Sequence, residues 1–189
     1  MRTGLLWDAP LTFQRYIEDC GASCELVTPQ LCAAPFFRGS FGALIVPTGF
    51  ANPAYSRVLV ALRASAGRIR RFLEDGGAVI VFGAAIDRPD AYDWLPFRLV
   101  YRHRYGPCRV EPVEPYLFEA LFGGYDTNAL ECDGWFEEVD AEVIATADGR
   151  PVAVARRIGD GIVIAATVHE YPARSFISAL GPERGETIF

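Results

Sequence analysis

The sequence predicts an α/β protein: a doubly wound, mostly parallel sheet with helices on both faces and an antiparallel strand extension toward the C-terminus. Three observations predict it. First, Gly42-Ala43-Leu44-Ile45-Val46 and Ala78-Val79-Ile80-Val81-Phe82 are unbroken apolar runs closed by Pro47-Thr48-Gly49 and by Gly83, the pattern of strands buried on both faces. Second, helical patterns separate such runs in the first half, and strand–helix–strand order implies parallel pairing through right-handed crossovers. Third, the second half carries close-set strand patterns joined by Asp148-Gly149 and Gly159-Asp160-Gly161, both strong hairpin signals.

Thr3 to Trp7 reads as the first strand, after which Asp8 offers a helix N-cap with Pro10 near the first helical position. Leu11, Phe13, Tyr16 and Ile17 keep an apolar stripe up to Gly21, and Ser23 to Val27 is the second strand. Thr28 to Ser40 is rich in turn formers and reads as a loop before the strand at Gly42 to Val46. Arg57 to Glu74 is the longest helical pattern, with Val58, Leu59, Leu62, Ile69, Phe72 and Leu73 turned inward and Gly76-Gly77 as its stop. Beyond the strand at Ala78 to Phe82, short strands are expected at Phe97 to Tyr101, Cys108 to Val113 and Ala129 to Cys132, with a helix from Pro115 to Phe122. Strands at Ala141 to Thr146, Pro151 to Arg157 and Gly161 to Val168 follow, then a helix from Pro172 to Leu180. Residues 1–180 thus form one domain and 181–189 a loosely held tail.

Composition narrows the function classes. The chain is 51% hydrophobic and 22% charged, a folded globule rather than a disordered segment. A net charge of -6 removes the basic footprint of a nucleic-acid binder. All 18 basic residues are arginine, so Schiff-base lysine, lysine general base and P-loop lysine chemistry are excluded. The apolar start is too brief for a signal h-region and no run reaches about 18 apolar residues, which predicts a cytoplasmic protein without membrane insertion. Cys20, Cys24, Cys32, Cys108 and Cys132 are odd in number and match no zinc spacing, so reduced thiols acting as small packing residues are expected, with no metal and no cofactor.

In doubly wound folds, ligands gather outside the carboxyl ends of the strands. The groups expected there are Asp8, Thr48-Gly49, Gly83 to Asp87, and His169-Glu170. An apolar strand ending in a Gly-x-nucleophile turn, with a histidine from a later strand, is the layout that holds a Cys or Ser on a strained corner beside its base.

On Ala43 to Gly49, Gly76 to Asp87, Pro151 to Ala166 and His169-Glu170, the chain resembles the class I glutamine amidotransferase-like superfamily, a flavodoxin-like group that includes trehalose-utilisation-type proteins and non-catalytic members. The resemblance implies a flavodoxin-like fold over 1–180. It also exposes two departures. Active members carry Gly-x-Cys-x-Gly at the corner, whereas Gly83-Ala84-Ala85-Ile86-Asp87 puts Ala85 at the nucleophile position and Asp87 at the second glycine. The family's His-x-Glu is here His169-Glu170, without the spacer. Alanine has no lone pair with which to attack an amide.

These residues lead to a non-catalytic domain that binds a small ligand through Thr48, Gly49, Gly83, Ala85 and His169, or that serves as an assembly module. The alternative is an enzyme acting on a carbohydrate or another small polar substrate, with His169 as acid/base and Glu170 or Asp87 assisting. His169 equally suits a backbone-bonded remnant, and Asp87 an N-cap before Arg88-Pro89. Tyr101-Arg102-His103-Arg104-Tyr105 is either a patch for an anionic or sugar ligand or an exposed strand, and Asp133-Gly134-Trp135-Phe136-Glu137-Glu138 either borders the crevice or supplies core and subunit contacts. The aromatics leave open a homo-oligomer or a structural subunit of a larger complex.

Overall fold

Apolar runs closed by sharp turns become the centre of the sheet in the computed structural model, which describes residues 2–180 and 185–189. In chain order the first half contains β1 (Arg2–Leu6), α1 (Thr12–Asp19), β2 (Ser23–Val27), α2 (Pro29–Ala33), β3 (Ser40–Phe41), β4 (Ala43–Val46), α3 (Val58–Ala64), α4 (Ala66–Glu74) and β5 (Ala78–Val81). The second contains β6 (Val100–Cys108), β7 (Val110–Pro112), α5 (Pro115–Phe122), β8 (Leu130–Glu137), β9 (Glu142–Ala147), β10 (Arg150–Ile158), β11 (Gly161–Ala166), α6 (Arg174–Ala179) and β12 (Thr187–Ile188).

Eight strands form one sheet in the order β2-β1-β4-β5-β11-β10-β9-β7. The five from β2 to β11 are parallel, the flavodoxin-like arrangement, and β10, β9 and β7 extend them antiparallel. Because successive side chains alternate in direction, each central strand feeds two cores. Leu44, Val46, Val79 and Val81 pack with Leu59, Leu62, Ile69 and Phe72 of α3 and α4. Ala43, Ile45, Ala78 and Ile80 pack with Phe13 and Ile17 of α1, Phe118 and Leu121 of α5, and Ile177 of α6. Apolar area buried on both faces at roughly 25 cal/mol per Å² is the main force behind this three-layer arrangement.

The strands β6 and β8 pair with each other in a separate antiparallel ribbon. It is tied to the segment beyond β11 by two backbone bonds, Asp133 N–H to Thr167 O at 2.7 Å and His169 N–H to Glu131 O at 2.8 Å. The ribbon is thereby fixed beside the carboxyl end of β11.

Local departures from the expected elements have identifiable causes. The helical pattern from Arg57 to Glu74 breaks at Ser65 (φ -106°, ψ 5°), whose buried hydroxyl donates to Cys32 O at 2.7 Å. Asp8 does not cap α1. Its carboxylate instead accepts from Ser56 Oγ at 2.5 Å and from Arg57 N–H at 3.2 Å, tying the tip of β1 to the approach of α3. Thr28 caps a short helix inside the expected loop, with Pro29 in its first turn. Cys108 and Cys132 are joined by a disulfide across the ribbon, Cα–Cα 6.0 Å, which corrects the expectation of five reduced thiols. Cys20 and Cys32 are buried.

The tail is held at its end: Thr187–Ile188 pair with β3, and Phe189 is buried against Phe72 (centroids 6.1 Å) beneath the Arg68 guanidinium at 4.9 Å. The expectation of a loose tail over residues 181–184 lies outside the described residues. Phe189→Ala is expected to lower the melting temperature by roughly 6–12 °C, from about 3 kcal/mol of lost burial in a domain of this size. Thermal unfolding checks this, and an unchanged midpoint would mean that the terminal strand contributes nothing to stability.

Candidate functional site

The parallel order β2-β1-β4 places a topological switch point between β1 and β4, where crossovers leave toward opposite faces. A crevice of about 470 Å³ opens at the carboxyl ends of β1, β4 and β5, and Trp7, Thr48, Gly49 and Ala85 line it from those tips. The ribbon contributes His103, Tyr105 and Asp133, and the segment after β11 contributes His169, Glu170 and Tyr171. The volume falls in the range of small-molecule sites.

At the tip of β5 the chain turns sharply. Gly49 N–H donates to Gly83 O at 2.7 Å and the buried Tyr92 hydroxyl donates to Phe82 O at 2.6 Å. Ala85 follows at φ +52°, and Asn52 Nδ2 donates to its carbonyl at 3.0 Å. A non-glycine residue in this left-handed region costs roughly 1–2 kcal/mol, so the corner keeps a strained nucleophile-type geometry around a methyl group.

Gly83 serves a different purpose. A Cβ built on it would lie 2.3 Å from Asp133 Oδ2, so β5 can approach the ribbon only where residue 83 has no side chain. Asp133 is 3% exposed, and its Oδ2 has no hydrogen-bond partner among the described residues. His169 Nδ1 stands 3.6 Å from that oxygen, an ion-pair distance beyond hydrogen-bond length, while the imidazole itself is 48% exposed. Burial raises the Asp133 carboxyl above its ordinary value, with His169 and His103 partly opposing the shift and Glu131 adding to it.

The surroundings of His169 are fixed by aromatic groups. Tyr105 meets its ring edge-on (centroids 5.6 Å), and the Tyr105 hydroxyl donates to the Glu131 carboxylate. Tyr171 stacks on Phe13 at 4.3 Å, while the Tyr125 and Tyr16 hydroxyls donate to the carbonyls of Tyr171 (2.8 Å) and Pro172 (2.7 Å). His103 Nδ1 lies 3.1 Å from the Tyr101 hydroxyl, which also reaches Asp133 O at 2.9 Å. Burial and the nearby Asp133 push the Tyr101 hydroxyl far above its ordinary value, so it stays protonated.

Of the residues singled out in the sequence, Thr48, Gly49, Ala85, His169 and Glu170 come together on one crevice, and Gly83 lies directly behind Asp133. The Glu170 carboxylate accepts from Glu131 N–H at 3.1 and 3.3 Å. Asp87 is exposed and does not line the crevice. The carboxylate beside His169 is instead Asp133, which sequence reading placed only in a segment bordering the crevice. Its signal was an acid preceding a glycine inside a strand, where nothing in the pattern points to a partner.

Two outcomes follow from this geometry. A buried carboxyl whose folded value is raised above 3.8 favours the protonated form, so its contribution to stability is full below about pH 4 and is lost as pH rises through the raised value. Asp133→Asn is therefore expected to melt close to the parent protein near pH 4 and above it at pH 8, as followed by thermal scans across pH. A variant less stable at pH 8 would mean that ionised Asp133 holds the fold together. Ala85→Gly is expected to relieve the left-handed strain and raise the melting temperature by about 2–4 °C, equivalent to about 1 kcal/mol. A fall would show that the methyl group packs productively.

No protein-family profile and no curated protein matches the chain. Solved structures do resemble it in fold. A cytoplasmic protein from Salmonella typhimurium LT2 is similar over 94% of this chain and 93% of its own, at TM-score 0.56 and 10% identity. A cold-adapted β-galactosidase from Rahnella sp. R3 is similar over 94% of this chain at TM-score 0.53 and 12% identity, and an exo-β-1,4-mannosidase from Opitutaceae bacterium strain TAV5 over 88% at 0.53 and 14%. The chain spans 30% and 31% of those two glycosidases. Among the described residues no helix is long and apolar enough to cross a membrane. The likeness establishes an α/β fold with a mostly parallel sheet, shared with proteins whose sequences have little in common with this one.

Proposed function

We propose that the chain is an amidotransferase-like domain without a nucleophile, which holds a small polar molecule non-covalently in the crevice at the strand tips. The observation that carries this reading is the crevice itself: about 470 Å³, open to solvent, with aromatic walls and a half-exposed histidine backed by a buried carboxylate. Ala85 at the corner supports the absence of a covalent step, since its side chain offers no attacking atom. The remaining thiols do not replace it. Burial pushes the Cys24 thiol up to about 12 and raises Cys32 as well, which keeps both in the unreactive protonated form at neutral pH.

An enzymatic reading, with His169 as acid/base on a carbohydrate or other small polar substrate, is favoured by one observation: a carboxylate stands behind the imidazole at 3.6 Å, the relation that orients a histidine for proton transfer. The β-galactosidase and mannosidase activities named for two fold neighbours point the same way. They belong to chains about three times as long, so they lend this reading no residues.

The test is a panel of small polar ring compounds observed by saturation-transfer NMR, with Thr48→Trp as a variant whose crevice is filled. Binding by the parent protein that is lost in a folded Thr48→Trp variant is expected. Binding that survives the substitution would place the ligand elsewhere, and no binding by any compound would defeat the reading. The unmodified protein is expected to release no ammonia from glutamine, measured by a coupled ammonia assay. Ala85→Cys is expected to gain a thiol that iodoacetamide alkylates faster than Cys24 or Cys32, as read by mass spectrometry.

A further inference from the structure

A ligand crevice has a preference for charge and for hydrogen-bonding sense, and here both can be worked out from the groups that line it. Among the described residues no arginine lines the crevice, although the chain is rich in arginine; the ionisable groups facing it are Asp133, Glu170, His103, His169, Tyr55, Tyr105 and Tyr171. Glu170 is engaged by the Glu131 backbone and Tyr105 by the Glu131 carboxylate. Tyr171 shares a hydrogen bond with the Thr12 hydroxyl at 3.3 Å, which leaves Asp133, the two histidines and the hydroxyls of Tyr55 and Thr48, each able to donate or accept, to meet a ligand.

The protons of the two histidines can be assigned from the geometry. The Tyr101 hydroxyl has one hydrogen, and the Asp133 carbonyl at 2.9 Å can only accept, so it takes that hydrogen. The 3.1 Å contact between Tyr101 Oη and His103 Nδ1 then requires the proton on His103 Nδ1, which leaves His103 Nε2 as an acceptor. His169 Nδ1 faces the Asp133 carboxylate, which favours a proton on Nδ1; in the neutral ring His169 Nε2 is then an acceptor too. The third acceptor is Asp133 Oδ2, buried to 4% side-chain exposure and without a hydrogen-bond partner among the described residues. A buried acceptor left unpaired is costly, and a ligand hydrogen that reaches it removes that cost.

Resting on the crevice reading above, we propose that the site selects a polyol or amino-polyol of monosaccharide size, neutral or cationic, and that Asp133 is the specificity residue receiving a hydroxyl or ammonium hydrogen. A set of three acceptors without a facing cation rewards a ligand rich in donors. It disfavours phosphate or carboxylate, which bring further acceptors against these acceptors and find no arginine fork. Trp7 and Tyr55 on the wall supply faces for the carbon side of a ring.

The experiment compares one ring in three charge states: glucose, glucosamine and glucose 6-phosphate. The chain has 2 histidines, so each imidazole signal is a separate NMR probe of the crevice. Glucose and glucosamine are expected to shift both signals at millimolar concentration, with glucose 6-phosphate weaker by about tenfold or more, the equivalent of one lost charge-assisted contact. Asp133→Asn, checked for folding by its thermal scan, is expected to weaken glucosamine by about tenfold. His169→Phe, at an exposed position that folding tolerates, is expected to weaken both neutral and cationic rings severalfold. Equal or tighter binding of glucose 6-phosphate, or unchanged affinity in both variants, overturns this proposal while leaving the crevice reading intact. If the ring-compound panel binds in the crevice and none of these three sugars does, the selectivity proposal fails alone. If nothing binds there, the crevice reading fails with it.

Discussion

The contact between Gly83 and Asp133 is the constraint on which the crevice depends. A parallel strand tip and an antiparallel ribbon from a distant part of the chain meet at a point where a Cβ would lie 2.3 Å from a carboxylate oxygen. The absence of a side chain at 83 lets β8 close over β5, and that closure brings His103, Tyr105 and Asp133 over the tips of β4 and β5. The contact carries an energetic penalty as well, because it strips water from a carboxylate and leaves one of its oxygens without a hydrogen-bond partner among the described residues. An aliphatic residue of similar size would suit folding better. An acid at this position runs against the demands of the core.

The same tension appears one turn further on. Ala85 occupies left-handed backbone that glycine would adopt without strain, and Asn52 and Gly49 hold the corner from the neighbouring strand connection. Here it presents a methyl group and turns the backbone along the crevice wall. The corner also sets where β5 ends and where Tyr92 and Tyr101 pack beneath it.

How much of this was legible in the sequence depended on burial. Ala43 to Val46 and Ala78 to Val81 are buried at every position, so their apolar runs are uninterrupted and their strands could be placed almost to the residue. The helix from Pro115 to Phe122 was equally plain, since Pro115 opens it and Gly123 closes it. The ribbon was not. β6 is mostly half-buried without alternation and its register shifts between His103 and Gly106, which blurs the period-2 pattern and made one strand read as the ends of two. The Cys108–Cys132 disulfide was hidden for the same reason: it depends on a cross-strand pairing that no spacing reveals. His169 was visible as a group at a strand tip, but its partner Asp133 was not, because the two are brought together by backbone bonds between the ribbon and Thr167.

Position rather than residue type therefore decides what the two histidines can do. His103 is tied through Tyr101 to the backbone carbonyl of Asp133, and His169 faces that residue's side chain, so one aspartate orients both rings, one directly and one through a phenol. Tyr101 is buried and stays protonated, so it acts as a fixed relay of hydrogen-bond direction. A ligand reaching Asp133 Oδ2 would therefore meet the group that faces His169, while the His103 ring is set by the backbone of the same residue.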